Sequence, residues 1–109
     1  MLIAAAVLFA LAAVGGLSLA IFFISKKNPP LALVVGHGIP AATGLVIFLI
    51  WYLRNGTGGL AAISLGLFIL AALGGFGLFV LKNKPLPIIL VHGLVAATAF
   101  VLLIIHLTH

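Results

Sequence analysis

The chain carries no aspartate, no glutamate and no cysteine in 109 residues, and only one tryptophan, one tyrosine and one methionine. Each absence removes a class of function. Without cysteine there is no disulfide, no thiolate metal ligand and no covalently attached c-type haem. Without carboxylates, proton-coupled transport would have to run on histidine alone, and no acid–base pair marks a quinone site. Charged residues make up 5% of the chain, all of them basic, for a formal net charge of +5. They stand at the ends of apolar runs, which suits anionic lipid headgroups and topology control. Nucleic acid is not an expected partner, because no basic or aromatic groove accompanies the charge.

What remains is 66% hydrophobic, far from the composition of a soluble domain. A span needs roughly 20 apolar residues to cross the hydrocarbon, and the sequence divides into four such stretches near residues 2–25, 31–53, 60–81 and 86–107. The first stretch lacks a basic n-region and is too long for a secretory signal; its LAAVGG also returns as LAALGG in the third. The expectation is an all-α integral membrane protein, a single domain over residues 1–109, folded as an up-down-up-down four-helix bundle.

The halves repeat. A slide of 55 residues matches Lys27 with Lys82, Asn28 with Asn83, Pro30 with Pro85, His37 with His92, Gly38 with Gly93 and Ala41-Ala42-Thr43 with Ala96-Ala97-Thr98. A slide of 59 matches Ala12, Gly15 and Gly16 with Ala71, Gly74 and Gly75. The repeats therefore cover about residues 2–54 and 60–109, with NGTGG as a flexible link, and each contributes two spans. Ala12, Gly16 and Ala20 lie four residues apart, a small-xxx-small face for close packing. Gly36 and Gly38, each costing roughly 1 kcal/mol in a helix, are expected to serve packing beside His37, and Pro40 to loosen the helix just beyond it. Trp51, Tyr52 and Arg54 form an interface anchor. Four lysines, Lys26, Lys27, Lys82 and Lys84, sit in the first and third turns, against Arg54 alone on the opposite side. The positive-inside rule puts the lysine turns in the cytoplasm and both termini across the membrane, with a bacterial inner membrane as the expected setting.

Two spans per repeat give the halves the same orientation, related by an axis along the membrane normal. His37 and His92 then share one depth on diagonal helices and can flank a planar macrocycle as axial ligands of its iron. Gly15, Gly16, Gly74 and Gly75, at similar depth on the other two helices, would admit the edges of that ring; Gly38 and Gly93 lie beside the ligands. At 1.5 Å per residue the iron would sit roughly 10 Å inside the lysine boundary, where carboxylate side arms could reach the lysines.

This arrangement resembles the haem-bearing four-helix core of cytochrome b from quinol-oxidising complexes. The resemblance is one of architecture and short motifs over most of the chain. It implies haem b held by His37 and His92, with the glycine pairs as edge contacts, and it touches His106. His92 and His106 are fourteen residues apart on one face, about 21 Å along the axis, a spacing like that which stacks two haems in the family. The repeat partner of His106 is Trp51, however, so a complete second site is not expected.

The function that follows is a membrane b-type cytochrome that carries electrons, with quinol or within a larger redox complex, and performs no catalysis at iron. Its partners would be the bilayer, a quinone, and other redox subunits or further copies of the chain. The competing reading is a cofactor-free structural subunit, since duplication alone could have copied a structural histidine. A small transporter ranks below both: length and span number resemble the small multidrug-resistance family, which depends on a membrane-embedded glutamate absent here. Thr43 and Thr98 are expected to bond back to carbonyls of their own helices, His106 and His109 to be solvated, and Ser18 and Ser64 to have no assigned role.

Overall fold

The computed structural model describes residues 1–56 and 58–109 and is all-α, with helices α1 (Leu2–Ile24), α2 (Leu31–Asn55), α3 (Gly59–Val80) and α4 (Leu86–Thr108). Each is long and apolar enough to cross a membrane, and the composition is that of an integral membrane protein. At 22 to 25 residues a helix is about 33–38 Å long, which agrees with the 42 Å long dimension of the bundle.

The helix ends follow from local chemistry. Pro30 and Pro85 stand in extended conformation before α2 and α4, and their carbonyls receive the first N–H groups of Leu33, Val34, Ile88 and Ile89 at 3.0–3.4 Å. At the end of α1, Lys27 N–H donates to Phe22 O and Lys26 N–H to Phe23 O. This is the paired bonding of a Schellman cap, and it puts Lys26 at φ 57° where glycine is the usual occupant. Pro40 lies inside α2 without ending it. The expected link NGTGG includes Thr57, which lies outside the described residues; beside it, Gly58 and Gly59 have φ of 68° and 60°, which only glycine adopts cheaply.

α1 packs chiefly on α2 and α3 on α4, and thinner α1–α4 and α2–α3 seams join the two pairs. Among the described residues, α1 and α3 make no backbone approach to each other, and neither do α2 and α4. The tightly packed core lies towards one end. It gathers the early residues of α1 and α3 (Leu2, Ala5, Phe9, Ala61, Leu65, Phe68) with the late residues of α2 and α4 (Phe48, Ala99, Leu103). Phe9 and Phe68 stack at 3.8 Å, and Phe48 meets Phe68 edge-on at 6.2 Å. Ser64 is buried in this core and its hydroxyl donates to Ala99 O at 2.7 Å, tying α3 to α4. In the other pair the matching position is a close approach: a methyl on Gly44 would stand 3.3 Å from Ala5 O and 3.1 Å from the Phe9 ring. Towards the other end the small residues Ala12, Ala71, Gly16 and Gly75 fill less space, and the pairs stand apart.

Candidate functional site

His37 follows two turns after the Pro30 entry into α2, which sets it against Gly15 and Gly16 of α1. A Cβ on Gly15 would lie 3.2 Å from His37 Cβ and 3.3 Å from its Cα, and a Cβ on Gly16 only 2.9 Å from the ring carbon Cε1. Glycine at both positions leaves room for the imidazole. The ring is fastened as well: His37 Nδ1 lies 2.7 Å from Ala12 O. A carbonyl can only accept, so Nδ1 carries the proton, and in the neutral ring the lone pair is left on Nε2.

His92 stands in α4 against Gly74 and Gly75 of α3. A Cβ on Gly75 would meet its Cε1 at 2.9 Å, repeating the Gly16 contact. The second fastening is not repeated. His92 Nδ1 is buried beside the backbone of Ala71, the counterpart of Ala12, without a hydrogen bond as well formed as the one His37 makes. The two imidazoles meet across the bundle with ring centroids 6.2 Å apart and planes at 89°, and no hydrogen bond joins them.

Both rings line a large cleft of 1670 Å³, open to the surroundings along part of its length, to which all four helices contribute. Its floor is the Phe9 and Phe68 pair, its walls are alanine, glycine and aliphatic residues, and its mouth carries Lys26, Lys27, Lys82 and Lys84 with Asn28 and Asn83. Lys84 Nζ donates to Leu81 O at 2.7 Å and lies 5.7 Å from the Phe23 ring centre. In a chain without aspartate or glutamate, four lysines line one mouth of the cleft.

The glycines divide into two kinds. A side chain on Gly15, Gly16 or Gly75 would crowd the facing histidine, and one on Gly74 would reach His92 Nδ1 at an ordinary 3.8 Å. Gly38 and Gly93 line the cavity, and a methyl on either would meet nothing within 4 Å; Gly36 is equally unobstructed, so the packing expected beside His37 comes from α1 instead. His106 lies away from this cavity, against Trp51, with ring centroids 5.6 Å apart. Thr43 and Thr98 bond back to Ile39 O and Leu94 O of their own helices at 2.8 Å, as expected. Ser18 does the same to Val14 O. Ser64 is the polar residue that sequence reasoning passed over, because a backbone carbonyl partner leaves no mark in the sequence. Among the described residues no three histidine, cysteine or acidic side chains gather as a metal cluster. No family profile, curated protein or solved structure matches the chain.

Proposed function

We propose that the chain is a membrane b-type cytochrome in which His37 and His92 are the two axial ligands of one haem b, and that it transfers electrons with quinol or within a larger redox complex. The observation that carries this reading is the perpendicular imidazole pair projecting into a 1670 Å³ cavity. The two imidazoles, with ring centroids 6.2 Å apart, are the residues that would hold the iron. The planar group would supply its own equatorial donors, so two histidines complete the set without a third protein ligand.

The residues divide the work. His37 and His92 would hold the iron, with Ala12 O fixing the His37 tautomer. Gly16 and Gly75 seat the rings, and Gly38 and Gly93 leave the cavity wall bare. The lysines at the mouth would pair with carboxylate side arms. Haem supplies a one-electron couple, and two imidazoles leave no open position for substrate chemistry. The apolar walls exclude water and tune the potential. His106, against Trp51, is left out of this site, and a second haem there has no support.

The tandem repeat and the up-down-up-down topology belong to the same reading. Counterparts under the two slides meet one another: His37 with His92, Phe9 with Phe68, and Trp51 with His106. That is what a twofold axis between the halves would produce. Short lysine turns would then lie together in the cytoplasm, with both termini opposite, in a bacterial inner membrane.

A cofactor-free packing subunit is the second reading, and the His37–Ala12 bond favours it, because it satisfies that histidine without a metal. A reduced-minus-oxidised visible spectrum with haem quantified per chain separates the two. One low-spin haem per chain is expected, and a haem-free protein from a mild preparation would leave the packing subunit.

A further inference from the structure

The mouth of the cleft is built twice from the same pair of residues. Lys27-Asn28 in the first turn and Lys82-Asn83 in the third are all exposed, and all four line the mouth together with Lys26 and Lys84. Lys84 braces the two turns: its Nζ donates to Leu81 O at 2.7 Å and stands 5.7 Å from the Phe23 ring centre at the end of α1. The other three lysines are exposed, and with no aspartate or glutamate in the chain no side-chain carboxylate can neutralise them. An ammonium beside a carboxamide is a donor set suited to an oxyanion that only accepts, such as a phosphodiester.

Below this mouth the cleft turns apolar and opens sideways. Leu17 of α1, Leu31 and Val35 of α2, and Phe76 and Phe79 of α3 line it and are nonetheless exposed. In a bilayer such open walls face lipid, whose tails are as apolar as leucine. A positive, hydrogen-bonding mouth at headgroup level, continuous with an apolar and laterally open trough, complements a molecule with an anionic head and hydrocarbon chains.

We propose that this outer part of the cleft seats one anionic glycerophospholipid, its phosphate held at the Lys27-Asn28 and Lys82-Asn83 pairs and an acyl chain lying in the trough between the helix pairs. Lys26 adds charge to the same end, and Lys84 keeps the two turns together. The lipid enters from the bilayer through the open side, so no helix has to unfold to admit it. The site goes beyond the haem reading and stands without it, because it uses residues one to two turns nearer the lysines than His37 and His92.

The test offers the purified full-length chain, in mild detergent, equal amounts of phosphatidylglycerol and phosphatidylcholine with the same acyl chains. Bound lipid is counted by native mass spectrometry, and haem is measured on the same sample. Phosphatidylglycerol is expected to be retained over phosphatidylcholine by about tenfold or more. Lys27→Gln and Lys82→Gln should each weaken its retention about fivefold, and Arg54→Gln, at the opposite end, should leave it unchanged. Val35→Trp keeps every charge but fills the trough from an exposed position, and should also lower retention. Equal retention of the two lipids, or no loss in Lys27→Gln and Lys82→Gln, overturns the proposal. So does full retention by Val35→Trp, or displacement of the lipid by an equal concentration of inorganic phosphate, since either makes the mouth an anion site without a seated chain. A haem-loaded chain with no lipid preference sinks this proposal alone, and a haem-free chain that retains phosphatidylglycerol sinks only the haem reading.

Discussion

His37→Ala is expected to abolish the low-spin haem spectrum of the purified protein, His92→Ala to abolish it as well, and His106→Ala to leave most of it. The contrast follows from placement. His37 and His92 face each other across the large cavity at 6.2 Å, whereas His106 packs against the Trp51 ring. If the two imidazoles hold the iron as proposed, losing either would remove the strong ligand field that keeps it low-spin. Substitution at His37 goes further, since it also removes the group bonded to Ala12 O, so haem itself is expected to be lost. The measurement is the Soret and α-band spectrum together with haem per chain, on variants shown to be present in the membrane at wild-type level. Equal loss from His106→Ala would overturn the ligand assignment.

The second large effect is expected at glycines rather than at ligands. Gly16→Ala and Gly75→Ala each place a methyl 2.9 Å from the Cε1 of the facing imidazole, closer than carbon atoms tolerate, so the ring must move. At Gly16 the same methyl stands 3.2 Å from His37 Nδ1, the atom bonded to Ala12 O, and moving the ring spoils that bond too. Groups that orient a metal ligand change metal affinity by about 10–100-fold when altered, and haem retention should fall by that order in both variants. Gly77→Ala is the control. Its methyl meets nothing within 4 Å, so haem content should be unchanged and helix propensity should rise by about 1 kcal/mol. Haem titration into apoprotein in detergent checks all three, and retention by Gly16→Ala at the Gly77→Ala level would refute the seating role.

Much of the architecture was readable from composition and period. Four apolar runs in a chain without acids admit few alternatives, and Pro30 and Pro85 mark the starts of α2 and α4 where they occur. The ends were less legible: α2 continues to Asn55, two residues past the expected boundary, because nothing in Leu53-Arg54-Asn55 forbids another half-turn. The histidine pair was legible because each histidine stands among the same flanking residues, 55 positions apart.

The glycine pairs were readable as places of close approach, but not the identity of what approaches. Small residues record only that space is needed, and here the imidazoles themselves occupy it. The cavity was not legible either, since it arises from many alanines and glycines failing to fill one end of the bundle. The inequality of His37 and His92 was hidden for a related reason. Ala12 and Ala71 are the same residue type in matching positions, yet the 2.7 Å bond is the one between Ala12 O and His37.

Electron paramagnetic resonance of the oxidised protein tests the two-histidine site most directly, because the ferric signal reports both the axial ligands and the angle between their planes. Imidazoles standing at 89° to one another would interact alike with the two iron orbitals of π symmetry and leave them nearly degenerate. The account therefore predicts a strongly anisotropic low-spin signal from one haem per chain, absent from His37→Ala. A high-spin signal alone, or no haem signal from a mildly prepared sample, would contradict it.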